Sequence, residues 1–93
     1  MGEKSVRVVI EGRVQGVWYR GWTIENAKRL DLIGWVRNKK NGSVEALFSG
    51  ESAKVDEMIN ACWNGPISAE VSFVVFETDK SPETKSFLQL PTI

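Results

Sequence analysis

Along SVRVVIEG, residues 5–12, apolar side chains recur at every second position, and from Tyr19 to Leu30 they recur at helical spacing. The change of period takes place across GRVQG, residues 12–16, and the two residues that follow. A strand turns successive side chains to opposite faces, so Val6, Val8 and Ile10 share one face, with Arg7, Val9 and Glu11 on the other. In a helix, about 100° per residue gathers Thr23, Ile24, Ala27 and Leu30 into one arc and turns Glu25, Asn26 and Arg29 away. Arg20 lies beside the apolar arc, at the start of the helix and toward the sheet. A chain that passes from strand to helix through so short a glycine-bearing loop must pack that helix back across the sheet.

The rest of the pattern repeats this plan. Residues 33–38 and 43–49 read as strands joined by KKNG, and the Asn41-Gly42 pair predicts a tight hairpin turn with positive φ angles. Val55, Met58, Ile59 and Cys62 form the stripe of a second helix, with Ser52 as its expected cap and Asn64-Gly65-Pro66 as its stop. Residues 69–78 read as a strand with little polarity on either face, and 86–90 as a short fifth strand at an edge. The order βαββαβ predicts an α+β, ferredoxin-like split β-α-β sandwich: an antiparallel sheet with both helices on one face. At 93 residues, the chain is expected to form one domain, 1–93, around one modest core.

Charge and composition narrow the function. Twelve basic residues balance twelve acidic ones, so the chain lacks the positive field that nucleic acids and anionic membranes attract. Neither partner is expected, and any anion must be recognised locally. The opening residues, MGEKSVRV, lack the apolar core of a signal peptide, and no apolar run is long enough to span a bilayer, so the expected location is the cytoplasm. Cys62 is the only cysteine and histidine is absent, which excludes an intrachain disulfide, imidazole catalysis, a Cys–His pair and the common zinc sites. The acidic residues are dispersed, with no cluster resembling a magnesium or calcium site.

At GRVQGVWYR a strand ends in a glycine loop that feeds a helix N-terminus. Such a loop aims backbone N–H groups outward where the helix dipole favours negative charge. Arg20 adds a fork of donors able to grip two oxygens at once. On residue chemistry alone this is either an anion cradle or a purely structural turn. Cys62, on the apolar stripe, reads as packing. Trp63 reads as cover for the sheet edge, Tyr19 and Trp35 as packing aromatics, and Lys39 and Lys40 as a solvated hairpin tip.

Two long patterns carry a resemblance. Gly12 through Arg20, and Gly34, Trp35, Val36, Arg37, Asn38, Gly42, Val44 and Gly50 in register, resemble the two signatures of the acylphosphatase family. The likeness runs from about Val6 to the strand after Gly65-Pro66. It implies a small enzyme that hydrolyses carboxyl-phosphate anhydrides to a carboxylate and inorganic phosphate without metal or cofactor. It implies Arg20 and Asn38 as the catalytic residues. The phosphate is held by Arg20 and the backbone amides of Gln15, Gly16, Val17, Trp18, Tyr19 and Arg20, and the water is oriented by Asn38. Small-molecule acyl phosphates are the implied partners, and a monomer is the default. Trp22 either touches an acyl group or packs on the surface, and the role of Trp18 stays open. Asp31 stands where many members of the family have glycine after the first helix, which implies a different helix ending. The tail LQLPTI leaves the length of the last strand open.

Two other functions are weighed against this one. An RNA-recognition domain of the same fold expects a basic surface and a Lys/Arg-Gly-aromatic-Gly-Phe strand, where this chain has zero net charge and GWVRNKKN. A carbamoyl-phosphate-handling part of a larger enzyme expects further domains, and with the sequence ending at Ile93 a free-standing enzyme is expected.

Overall fold

The computed structural model describes residues 2–93. Its elements are β1 (Glu3–Arg13), α1 (Tyr19–Arg29), β2 (Ile33–Asn38), β3 (Val44–Glu51), α2 (Ser52–Cys62), β4 (Glu70–Thr78) and β5 (Phe87–Gln89). The strands form one sheet in the order β4-β1-β3-β2-β5. Every neighbouring pair is antiparallel except β2 and β5, which run parallel. The ferredoxin-like α+β arrangement is the one the order of periods predicts.

Register decides which face is buried. Val6 opposes Phe48, Val8 opposes Ala46 and Ile10 opposes Val44, and all six are buried beneath the helices. α1 lies over β2 and β5, and α2 over β1 and β3. Thr23, Ala27 and Leu30 enter this core from α1, and Val55, Met58, Ile59 and Cys62 enter it from α2. Phe48 stacks on Phe87 at 5.6 Å between ring centroids, which ties the short β5 to the centre of the sheet. β4 is an edge strand, and of its side chains only Val74 is buried.

β5 lies at the opposite edge from β4, so the connection must cross the sheet. Its path is marked by the Asp79 amide donating to the Ser5 carbonyl, Ser81 beside Ser49, and the Gly34 amide donating to the Ser86 carbonyl. Ser5 and Ser49 oppose each other on the face away from the helices, so the crossing uses that face. Beyond β5 the tail continues alongside β2: the Ile93 amide donates to the Asn38 carbonyl and the Lys40 amide to the Ile93 carbonyl.

Three local expectations are corrected. The hairpin after β2 does not place both Asn41 and Gly42 at positive φ: Gly42 alone has it, at 96°. Its loop closes by bonds between Lys39 and Ser43 and between Gly42 and Lys39, while the Asn41 carboxamide accepts from the Ser43 amide and hydroxyl. Ser52 is the first residue of α2, not its cap, and its amide donates to the Gly2 carbonyl. Glu51 occupies the cap position without a side-chain bond.

Asp31 does not change the ending of α1. It adopts φ 58°, the left-handed conformation a glycine would supply there. The Leu32 amide bonds the Ala27 carbonyl and the Asp31 amide the Lys28 carbonyl, the paired closure of a Schellman ending. Aspartate reaches that region more easily than most residues, which is why the substitution keeps the geometry.

Candidate active site

At the C-terminal end of β1 the ladder with β4 slips between Glu11 and Gly12. Gly12 sits at φ 125°, and a Cβ there would run into the Glu70 carbonyl. A bulge at this point bends the strand and aims the following loop over the end of the sheet. Past Gln15 the sign of φ alternates: Gly16 is at 75°, Val17 is negative, Trp18 is at 68° and Tyr19 begins the helix. That alternation turns successive N–H groups toward one concavity, the backbone form that receives anions. Among the described residues, the amides of Gln15 through Arg20 donate no hydrogen bond within the chain.

This loop forms one side of a cleft of about 190 Å³. Val14, Gln15, Gly16, Trp18, Tyr19, Arg20 and Gly21 line it from the loop and the first turn of α1, with Asn38 from the end of β2 and Gln89 from the end of β5. Residues far apart in sequence meet here because β1 and β2 flank β3 and both end at the same edge. Arg20 and Asn38, the two side chains singled out in the sequence, share this cleft. Of the loop positions, Val17 is not on the wall and packs against the core instead.

Gln15 has a role that its place in the loop did not reveal. Its side-chain Nε2 donates to the Lys39 carbonyl and to the Ser43 carbonyl, both at 2.8 Å. One amide group thereby locks the cradle loop to the hairpin that follows Asn38. Gln89 also went unnoticed: it is the last residue of the weakly patterned β5, and nothing in the local sequence ties it to Asn38. A parallel pairing between Val36 and Gln89 places it there.

The aromatic residues around the cleft divide clearly. Tyr19 is 2% exposed, and its hydroxyl donates to the Cys62 carbonyl at 2.6 Å, fastening the start of α1 to the end of α2. Burial pushes its phenol well above the ordinary range, so it stays protonated. Trp22 packs against the core with its ring 5.3 Å from that of Tyr19, which settles it as a packing residue. Trp35 lies on the opposite face of the sheet under the Arg37 guanidinium, 4.5 Å away. Cys62 is fully buried and desolvation pushes its thiol up to about 12, so it is an inert packing group. Trp63 is exposed at the end of α2. Among the described residues no three His, Cys, Asp or Glu side chains are placed to hold a metal ion, and no helix is long and apolar enough to cross a membrane.

Known proteins match both the chain and this architecture. The profile of the acylphosphatase family matches residues 6–88. An acylphosphatase of Rhodospirillum rubrum is 50% identical over 90 residues, covering 97% of this chain and 99% of its own. The solved structure of an acylphosphatase from Coxiella burnetii superposes with a TM-score of 0.91 at 33% identity, over 95% of this chain and 93% of that one. The acylphosphatase structure from Bacillus subtilis superposes with a TM-score of 0.88 at 30% identity, over 92% and 97%. By sequence along nearly its whole length and by fold, the chain belongs to the acylphosphatase family, a family of hydrolases.

Proposed function

We propose that this protein hydrolyses acyl phosphates without a metal ion, with Arg20 and the loop amides holding the phosphoryl group and Asn38 orienting the attacking water. The observation that carries this reading is the meeting, in one cleft, of an arginine, a neutral carboxamide and a loop whose amides, from Gln15 through Arg20, have no partner within the chain. The amides of Gln15, Gly16, Val17, Trp18, Tyr19 and Arg20 take the phosphoryl oxygens, and the Arg20 guanidinium adds two parallel charge-assisted bonds.

The chemistry suits so sparse a set of groups. Water's oxygen forms a bond to phosphorus, the bond from phosphorus to the acyl oxygen breaks, and its electron pair leaves on the carboxylate. A carboxylate departs without protonation, so no general acid is needed. A loose phosphoryl transition state asks for positioning and charge stabilisation more than for a strong base. Preorganised donors supply the stabilisation. The Asn38 carbonyl accepts a hydrogen bond from water but is too weak a base to remove its proton, which passes to a phosphoryl oxygen or to solvent. The products are a carboxylate and inorganic phosphate.

The test is hydrolysis of benzoyl phosphate in excess chelator by the parent, Arg20→Ala, Arg20→Lys and Asn38→Ala. The parent turns over, and each alanine variant loses about 100-fold or more in kcat/KM. Arg20→Ala also loses affinity for inorganic phosphate, whereas Asn38→Ala keeps it. Arg20→Lys fails substantially because an ammonium cannot reproduce the planar fork. Normal phosphate binding and parent-like turnover in both alanine variants overturns the assignment.

A further inference from the structure

Trp18 has no structural reason to be tryptophan. It sits at φ 68° and ψ 23°, a left-handed conformation that disfavours bulky residues. It occupies the N-cap position of α1 yet makes no capping bond through its side chain. With 59% of its surface exposed, it contributes little to the core, unlike Trp22. What the indole does is lie against Gly21, so closely that a Cβ on that residue would collide with the ring nitrogen. The ring is thus seated on the first turn of α1, on the wall of the cleft.

The remainder of that wall is either polar or sealed. Gln15, Arg20, Asn38 and Gln89 present polar groups, while Val14 and Tyr19 are at most 2% exposed. Trp18 is the one lining side chain that offers a broad, accessible apolar surface. The cleft itself, at about 190 Å³, falls below the usual 300–1,000 Å³ of small-molecule pockets. With the phosphoryl group held at the loop, an acyl group longer than acetyl runs along the wall toward the exposed indole.

We infer that the Trp18 indole is the acyl-side platform of this enzyme and that it selects acyl phosphates bearing an aromatic or extended apolar acyl group over acetyl phosphate. The inference rests on the proposed acyl phosphate chemistry and adds the part of the substrate that the phosphate cradle leaves unspecified. An aromatic acyl group stacks offset or edge-on against an indole, and an alkyl chain covers its face. An acetyl group is too short to gain from either.

The experiment compares kcat/KM for benzoyl phosphate and acetyl phosphate in the parent, Trp18→Ala and Trp18→Phe. The quantity read is the benzoyl-to-acetyl ratio, in which any loss common to both substrates through the Trp18 amide or a disturbed loop cancels. Trp18→Ala lowers the ratio about tenfold, mainly through KM for benzoyl phosphate, and Trp18→Phe restores it to within about threefold of the parent. An unchanged ratio in Trp18→Ala, with both substrates still hydrolysed, overturns the platform and leaves the acyl phosphate reading intact. A folded parent that hydrolyses neither substrate overturns that reading, and the platform with it.

Discussion

Gln15 joins the two halves of the cleft through a single carboxamide whose two N–H groups both reach main-chain carbonyls, those of Lys39 and Ser43. Because both partners are acceptors, the residue at 15 must donate. Gln15→Ala leaves the carbonyls without these partners and is expected to cost about 1–2 kcal/mol of stability in urea denaturation. It also frees the hairpin to drift relative to the cradle, and since catalysis depends on sub-ångström placement, kcat is expected to fall about tenfold while inorganic phosphate still binds. Gln15→Glu tests the direction of the bonds: a carboxylate cannot donate to either carbonyl, so it should do no better than alanine. Recovery of parent activity in Gln15→Glu contradicts the assignment. Trp18 and Trp22 make the companion point. They stand four positions apart on the same stretch of chain, one exposed on the cleft wall and the other packed against the core.

Among the elements, α1 carries the clearest conflict between a residue and its place. Asp31 holds a left-handed angle at the C-terminal end of the helix, where the negative end of the helix dipole also disfavours a carboxylate. Asp31→Gly removes both penalties, partly offset by the greater freedom of glycine in the unfolded chain. The expected gain is about 1 kcal/mol, seen as a rise in Tm of about 4–8 °C for a chain of this size, with turnover unchanged because Asp31 does not line the cleft. A fall in Tm contradicts the strain. The same element shows how much local pattern reveals. Helical spacing over Tyr19–Leu30 located α1 and its buried face to within a residue, because three buried side chains on one arc are enough to orient a helix. The hairpin turn and the start of α2 were less legible: the Gln15 carboxamide holds the Lys39 and Ser43 carbonyls and the Gly2 carbonyl holds the Ser52 amide, and these partners lie far off in sequence.

For the whole molecule, the face of the sheet away from the helices is held by charge. Glu45, with a side chain only 5% exposed, accepts from Arg37 Nε at 2.9 Å and Nη2 at 2.8 Å and from Arg7 Nη1 at 3.1 Å. Arg7 continues the network to Glu77 and Asp79, so four strands are linked across the open side. Burial by itself raises the Glu45 carboxyl, but the hydrogen bonds and charge of Arg37, and then of Arg7, outweigh it and hold it below its ordinary value of 4.5. A group depressed in the folded state contributes stability that is complete above its unfolded value and is lost as the pH falls through the folded one. The parent is therefore expected to lose stability as the pH drops below about 4.5. Glu45→Gln is expected to be about 2 kcal/mol less stable at pH 7 and to close most of that gap at pH 3. An equal gap at both values argues against the carboxylate as its source.

The order of hydrophobic periods determined the ferredoxin-like plan, and the likeness of GRVQGVWYR and GWVRN to the acylphosphatase signatures pointed to Arg20 and Asn38. Period, glycine position and residue chemistry are local properties, carried by the chain wherever it folds. Only the tertiary structure decided that Gln15 clasps the hairpin, that Gln89 reaches the cleft and that Trp18 faces it while Trp22 turns to the core. It also decided that Asp31 behaves as a glycine would. Each of these depends on which distant segments meet across the sheet or on a backbone angle imposed by its surroundings, and neither is written in the residues nearby.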